Sequence, residues 1–287
     1  MNELDFEKKK RIAVIMTAHN RKDKTIMCLR SLYSQSGIEN LDVFVFLTDD
    51  GCTDDTVSSV LANFSNVKVV KGDGNLYWSR GMYVAWKEAE KESFDYYLWL
   101  NDDIVLYKNL FSELFLSYSK VDQMSIITGI IENETKTKTL YGAKDSKGVP
   151  LPANGTPQKV PFMNGNLVLV PQKVVDKIGI IDKVYHHDLG DFDYGLTAQE
   201  HGIGVYTSCC PLAYGYENNI RRKRKWGVSL VERLKNLNNP LLSPPYLSLY
   251  FKKKHHHCFR GVFWAAVDIF VAFLPDRLVH FLFPNRY

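Results

Sequence analysis

Four short, almost unbroken apolar runs punctuate the first hundred positions: IAVIMTA (12–18), DVFVFLTD (42–49), VKVV (67–70) and YYLWL (96–100). They are rich in Val, Ile, Tyr and Phe and mostly continuous rather than alternating, the pattern of strands covered on both faces. Between them, apolar positions recur with helical spacing. Val57, Val60, Leu61 and Phe64 stand at i, i+3, i+4 and i+7; Met82, Ala85, Trp86 and Ala89 repeat the pattern, and Ile26, Leu29 and Tyr33 approximate it. Thr53 is placed to cap one helix, with Asp54 and Asp55 in a first turn where the helix dipole favours acids, and Ser79 to cap the next. Strand alternating with helix predicts βαβ units, hence an α/β fold with a mainly parallel sheet flanked by helices.

The pattern loosens further on. Residues 132–160 are polar and turn-rich, a long loop or weak hairpin over the sheet. NGNLVLVP (164–171) reads as another strand and VVDKIGIID (174–182) as a short helix and turn. HHDLGDFDYGLTAQEHGI (186–203) mixes histidines and acids, then runs as helix to Gly202 before strand-like VYTSC. The last apolar stretch, GVFWAAVDIFVAFLP (261–275), meets a proline early and carries Asp268, so it is too short and too polar to span a bilayer. It reads as a buried helix, a dimer contact or an interfacial membrane helix, and its place after basic runs favours the last two.

Composition narrows the class. The 287 residues, 45% hydrophobic and 24% charged, are those of an ordinary globular protein, long enough for one large domain plus an appendage. MNELDFEKKKR shows no apolar segment after its basic residues, so residues 1–10 are expected to be a basic tail rather than a signal peptide. Five cysteines with no CxxC pair point away from a disulfide framework or zinc site and towards the cytoplasm. The net charge of +4 hides a split: residues 216–287 hold 13 Lys/Arg against 4 Asp/Glu, and the first 215 hold 23 against 28. Such asymmetry suggests an appended segment that meets an anionic surface or ligand. No nucleic-acid recognition module is apparent, and no nucleic-acid partner is expected.

The chemistry collects at strand ends. In a parallel sheet all carboxyl ends lie on one edge, where open α/β sheets bind ligands. The segments arriving there are Thr17-Ala18-His19-Asn20-Arg21, Asp49-Asp50-Gly51, Gly72-Asp73-Gly74-Asn75 and Asn101-Asp102-Asp103. Adjacent acids repel unless a cation or solvent separates them, so the edge reads as a cation site. Clustered Asp suits a hard divalent ion, Mg²⁺ or Mn²⁺, that bridges phosphate oxygens. Neither GxxxxGK[ST] nor GxGxxG occurs, and Gly72, Gly74 and Gly81 serve turn geometry equally well.

TAHNRKDKTIMCLRSL, TDDGCTDDT, GNLYWSRGM, LWLNDD and GDFDYGLTAQEHG resemble, in order and spacing, the motifs of family-2 glycosyltransferases, inverting GT-A enzymes that use nucleotide sugars. The resemblance runs from residue 11 to about 215 and is nearest to bacterial transferases that build surface polysaccharide. It implies a Rossmann-like GT-A catalytic domain over 11–215, with 216–287 as a helical, basic extension. In that family's terms Ala18, Asn20 and Arg21 line the nucleotide pocket, with Arg21 at the diphosphate. Asp49 accepts the N–H of a pyrimidine base with Asp50 close by, and Asn75 and Arg80 flank the diphosphate and sugar. Asn101 contacts ribose or sugar, Asp102 stands beside it, and Asp103 binds the metal. The motif's usual first Asp is Asn101 here, which leaves fewer metal ligands.

Inverting transfer needs a base for the acceptor hydroxyl. The family's Glu-Asp pair is matched by Gly190-Asp191, which makes Asp191 the candidate and Asp193 the alternate on a different helix face. Asp188 reads as a helix-entry residue, His186 and His187 as solvent-facing, and His255-His256-His257 as a basic surface run or the source of a late metal ligand. The implied activity is transfer from a UDP- or dTDP-sugar to a glycan or lipid-linked glycan acceptor at the inner face of the membrane. One rival is a sugar nucleotidyltransferase, which would carry a Gly-rich basic loop where TAHNRKDKT has no glycine. The other is a non-catalytic sugar-nucleotide-binding assembly partner, against which intact Asp103 and Asp191 argue.

Overall fold

A computed structural model describes residues 9–217, 226–255 and 258–282, with the side chains of 258–261, 264 and 268 outside that description. The opening βαβ pattern is realised as β1 (Lys10–Ala18), α1 (Lys22–Tyr33), β2 (Leu41–Asp49), α2 (Thr56–Asn63), β3 (Val67–Lys71), α3 (Tyr77–Ala89) and β4 (Tyr96–Leu100). β1 pairs in parallel with β2 and β4, and β2 with β3. The register Ala18↔Asp49↔Lys71 ends three strands at one level.

The chain continues through β5 (Val105–Leu106), α4 (Leu110–Ser119), β6 (Ile126–Asn133), β7 (Thr139–Tyr141), β8 (Ala143–Lys144), β9 (Phe162–Met163), β10 (Leu167–Pro171), α5 (Gln172–Ile178), α6 (Gly190–Glu200) and β11 (Val205–Gly215). The sheet order is β3-β2-β1-β4-β10-β6-β11-β5, with β7 on β6. β10 enters antiparallel between β4 and β6, and β11 is parallel to β6. Residues 132–160 hold β7, which pairs back on β6, and β8, which pairs with β9 just beyond them.

Helices cover both faces, which is why the strands read as continuous apolar runs. Val14, Leu47 and Leu98 pack against Leu29, Val60 and Leu110 on one face. Ile15, Phe46 and Trp99 pack against Met82, Trp86 and Tyr194 on the other. Each such fully buried side chain contributes about 1.5–3 kcal/mol.

Two helix starts differ from the sequence expectation. α2 begins at Thr56, not after Thr53: Asn20 Oδ1 takes the N–H groups of Thr53 (2.7 Å) and Asp54 (3.2 Å), and Asp54 Oδ1 accepts the Thr56 N–H (3.0 Å). α3 begins at Tyr77, and Ser79 lies buried within it with its N–H on the His186 carbonyl at 2.8 Å.

After β11 come α7 (Leu230–Leu237), α8 (Pro245–His255), α9 (Cys258–Phe273) and α10 (Asp276–Leu282), a helical extension in which α8 packs on α6 and α9. Residues 1–8, the run Arg221–Lys225, and His256 and His257 lie outside the described residues. Among the described residues no helix is long and apolar enough to cross a membrane.

Candidate functional site

The loops at the strand ends are bound to one another through main-chain groups. Asp50 N–H donates to the Ala18 carbonyl (3.0 Å). The Asp50 side chain is buried, and its carboxylate accepts the N–H groups of Leu76 (3.1 Å) and Tyr77 (2.8 Å). Asp50 therefore holds the entry to α3 and does not face the open edge. Its neighbour Asp49 is more exposed and accepts the Cys52 N–H on Oδ1 (2.8 Å). Asn75 is exposed on the rim, its N–H on Asp73 Oδ1 at 2.8 Å.

Glycine is required here at two places. A Cβ on Gly72 would stand 2.9 Å from the Asp49 carbonyl, and one on Gly81 2.8 Å from Thr17 Cβ. Three non-glycine residues with positive φ border the site: Asn20 (51°), Tyr77 (59°) and Leu189 (72°). Each costs conformational energy that the surrounding hydrogen bonds offset.

The Asn-Asp-Asp segment at the end of β4 is organised by a guanidinium. Arg21 donates from one nitrogen to Asp102 Oδ1 (3.1 Å) and Asp103 Oδ2 (2.9 Å), so an arginine separates the adjacent acids. Asp102 is buried and also accepts the Thr25 hydroxyl (3.2 Å). Burial pushes its carboxyl up to about 6 against the pull of Arg21, with Asp103 adding to the rise. Asp103 is the more exposed of the two acids. Asn101 Oδ1 accepts the Trp78 indole N–H (2.7 Å), and Asn101 Nδ2 donates to Asn166 Oδ1 (2.6 Å). An amide serves both neighbours without adding a third negative charge.

Asp191 sits in the first turn of α6. Its Oδ2 accepts the Gly165 N–H and its Oδ1 the Phe192 N–H, each at 2.9 Å. Burial pushes this carboxyl up to about 6; the two N–H groups oppose the rise and Asp188 adds to it. A Cβ on Gly165 would overlap the Trp78 ring and stand 3.0 Å from Asp191 Cβ, so glycine permits that contact. Trp78, Asn101, Asn166, Gly165 and Asp191 thus form one contiguous path from α3 across the end of β4 to α6.

Other candidates lie elsewhere. Asp193, the expected alternate base, is buried and accepts the Tyr185 hydroxyl, Lys254 Nζ and His255 Nε2, each at 2.8 Å, so it anchors the C-terminal extension. The other nitrogen of His255 lies 2.7 Å from Glu200, which leaves neither ring nitrogen for a metal. Asp188 precedes α6 by two residues and accepts the Ser243 hydroxyl (2.8 Å). His186 and His187 are half-buried rather than solvent-facing, and burial together with Arg80 lowers the His186 pKa. Arg80 donates to the Lys183 carbonyl (3.0 Å), towards the loop before α6.

Sequence reasoning missed Trp78, Gly165, Asn166 and Thr25. Asn164-Gly165-Asn166 carried a signal, since a glycine between two turn-forming residues just before a strand marks close backbone approach.

The donor set bears on the expected cation. Oxygens of Asp102 and Asp103 converge on one nitrogen of Arg21, a position a small cation also favours. Among the described residues no group of three or more His, Cys, Asp or Glu is placed to hold a metal. The acids fit Mg²⁺ or Mn²⁺ bound through one or two carboxylates, with phosphate and water supplying the remaining oxygens.

Among solved structures the chain is similar to GalNAc-T7 crystallised with UDP, GalNAc and Mn²⁺ (TM-score 0.61, 14% identity), covering 93% of this chain and 58% of that one. It is also similar to the mannosyltransferase PcManGT of Pyrobaculum calidifontis with GDP-Man and Mn²⁺ (TM-score 0.54, 13% identity; 93% and 76% covered). A third is S. aureus TarS 1–349 with UDP-GlcNAc (TM-score 0.57, 13% identity; 95% and 76% covered). The chain therefore spans less than two thirds of the first of these structures. At such identities the likeness concerns the fold, which is that of GT-A glycosyltransferases. No curated protein matches this chain significantly. The family model for glycosyl transferase family 2 matches residues 13–179, from β1 through α5, and so takes in the Asp49-Asp50 and Asn101-Asp102-Asp103 segments. With more than half its length so matched, this chain belongs to glycosyl transferase family 2.

Proposed function

We propose that this protein is an inverting glycosyltransferase that moves a sugar from a UDP- or dTDP-linked donor to a hydroxyl of a glycan or lipid-linked glycan in surface-polysaccharide synthesis. Residues 11–215 form the catalytic part and 216–287 the extension. The observation that carries the reading is Asp191, a half-buried carboxylate oriented by two backbone N–H groups, with a pKa raised to about 6. A base with a pKa near the working pH is ionised yet still basic enough to take a proton. The fold relatives crystallised with UDP, GDP-Man and UDP-GlcNAc support a nucleotide-sugar donor.

In this reading Ala18, Asn20, Asp49 and Asn75 border the nucleotide, and Asp49 meets a pyrimidine N–H. Asp50 acts through the turn it holds. Arg21 and Arg80 supply positive charge towards the diphosphate, and Asn101 presents its amide near the sugar. The acceptor oxygen attacks the anomeric carbon while its proton passes to Asp191. The bond to the diphosphate oxygen breaks on the opposite side, and the leaving group keeps the electron pair. Asp103, backed by Asp102, would hold Mg²⁺ or Mn²⁺, which offsets charge on a leaving diphosphate.

A panel of nucleotide sugars, assayed for nucleotide diphosphate release with oligosaccharide acceptors, identifies the donor. NMR of the product then reads the anomeric configuration. Retention of configuration, or an Asp191→Asn variant with undiminished rate, would defeat the proposal.

A further inference from the structure

The last two helices turn large apolar side chains towards solvent. On α9, Val262, Phe263, Ala266, Ile269, Phe270 and Phe273 are exposed, whereas Ala265, Val271 and Ala272 are buried. At about 100° per residue the exposed six span roughly one third of the helix circumference. The stripe is wholly apolar over three turns. On α10, Leu278, Phe281 and Leu282 stand exposed at i, i+3 and i+4 with Val279 buried behind them. Phe270 is 62% and Phe281 81% exposed. A surface helix in water shows the reverse, so a contiguous patch of this kind marks an interaction face.

Charge chooses the occupant. Residues 216–287 carry 13 Lys/Arg against 4 Asp/Glu, while the remainder of the chain is net acidic. A symmetric dimer through this face would bring two strongly cationic segments together, whereas an anionic lipid surface attracts them. We propose that α9 and α10 seat this protein on an anionic phospholipid bilayer, with their aromatic stripe at the headgroup–acyl boundary. The 16 residues of α9 rise about 24 Å, short of the hydrocarbon thickness of about 30 Å, so the helix lies in the interface and does not cross it.

The seating is coupled to the site. Arg233 on α7 donates to the Leu274 carbonyl just after α9 (2.8 Å) and lies 3.7 Å from Asp276. Lys254 and His255 at the end of α8 grip Asp193 on α6, the helix that also carries Asp191. Membrane contact therefore sets how the sheet edge faces the bilayer. That this suits a lipid-linked acceptor rests on the transfer reading above; the seating itself does not.

The test is co-sedimentation of the full chain with phosphatidylcholine vesicles, with and without phosphatidylglycerol. The parent should bind the phosphatidylglycerol vesicles at least about tenfold more tightly, with an affinity that weakens but persists in high salt. Phe270→Ser/Phe273→Ser/Phe281→Ser should lose about tenfold or more. Lys253→Glu and Arg277→Glu alter exposed charges without touching the apolar face, and each should weaken anionic-vesicle binding about fivefold. Circular dichroism checks folding, and the charge variants decide the matter if the triple variant does not fold. A parent that stays in the supernatant overturns the proposal, as does binding indifferent to all these changes. So does a dimer in solution, seen by light scattering without vesicles, that the phenylalanine substitutions dissociate.

Discussion

The indole N–H of Trp78 donates to Asn101 Oδ1 across 2.7 Å, joining the start of α3 to the end of β4. Behind that bond stands Asp102, whose carboxyl burial has pushed up to about 6. A carboxyl raised in the fold contributes most to stability below its ordinary value of 3.8, and that contribution is lost as pH rises through about 6. Asn101→Asp adds a third acid beside it and should deepen the loss. We expect Asn101→Asp to cost about 1 kcal/mol or more at pH 8, little at pH 5, and to be partly restored by Mn²⁺. Thermal denaturation at the two pH values, with and without the ion, checks this.

Gly165 lies between the Trp78 ring and Asp191. Gly165→Ala should push both aside, at an overpacking cost of about 1–3 kcal/mol. Sugar transfer should fall further than stability explains, because the proposed base, Asp191, moves. Denaturant midpoints and transfer rates on the same samples separate the two effects. An alanine variant with parental rate and midpoint would contradict the assigned contact.

For Asp191 the sign is direct. As the proposed base it works when ionised, so kcat/KM should fall about tenfold per pH unit below about 6 and level off above it. Asp191→Asn should lose about 10²–10⁴-fold in rate while donor affinity, measured by calorimetry, holds. Equal losses in rate and affinity would move Asp191 into the binding site.

Mn²⁺ or Mg²⁺ together with UDP or dTDP should stabilise the fold. Ligand at 100 times its dissociation constant adds about 2.7 kcal/mol. Asp103→Ala should remove the metal-dependent part of that gain and leave the metal-free melting curve little changed. Thermal shift with nucleotide alone, metal alone and both resolves the contributions.

Asp193 is the buried acceptor for Tyr185, Lys254 and His255. Asp193→Ala leaves the buried Tyr185 hydroxyl without this acceptor, and keeps Lys254 only near Asp182 (3.8 Å) and His255 only on Glu200; it should cost about 1–3 kcal/mol. Proteolysis should then cut within 226–255 before the sheet is attacked. A midpoint like the parent's would show that the extension does not depend on this anchor.

What the sequence determined by itself is local or periodic. Continuous apolar runs such as IAVIMTA form doubly covered strands, and helical spacing at Met82, Ala85, Trp86 and Ala89 builds the helix between them. From those two facts the parallel arrangement and its acid-lined carboxyl edge follow, because parallel strands require crossovers on one hand. The tertiary structure decided everything that depends on a remote partner. Asp49 and Asp50 are alike in sequence, yet only Asp50 is drawn under the α3 turn, where its carboxylate accepts the Leu76 and Tyr77 N–H groups. Thr53 is bound instead by Asn20, 33 residues away, and Ser79 lies inside α3 with its N–H on the His186 carbonyl. Asp191 and Asp193 share a turn of helix, but a lysine and a histidine some sixty residues on claim only the second. Hydrogen bonds and ion pairs across such separations follow from how the sheet brings loops together, and no window of neighbouring residues contains that information.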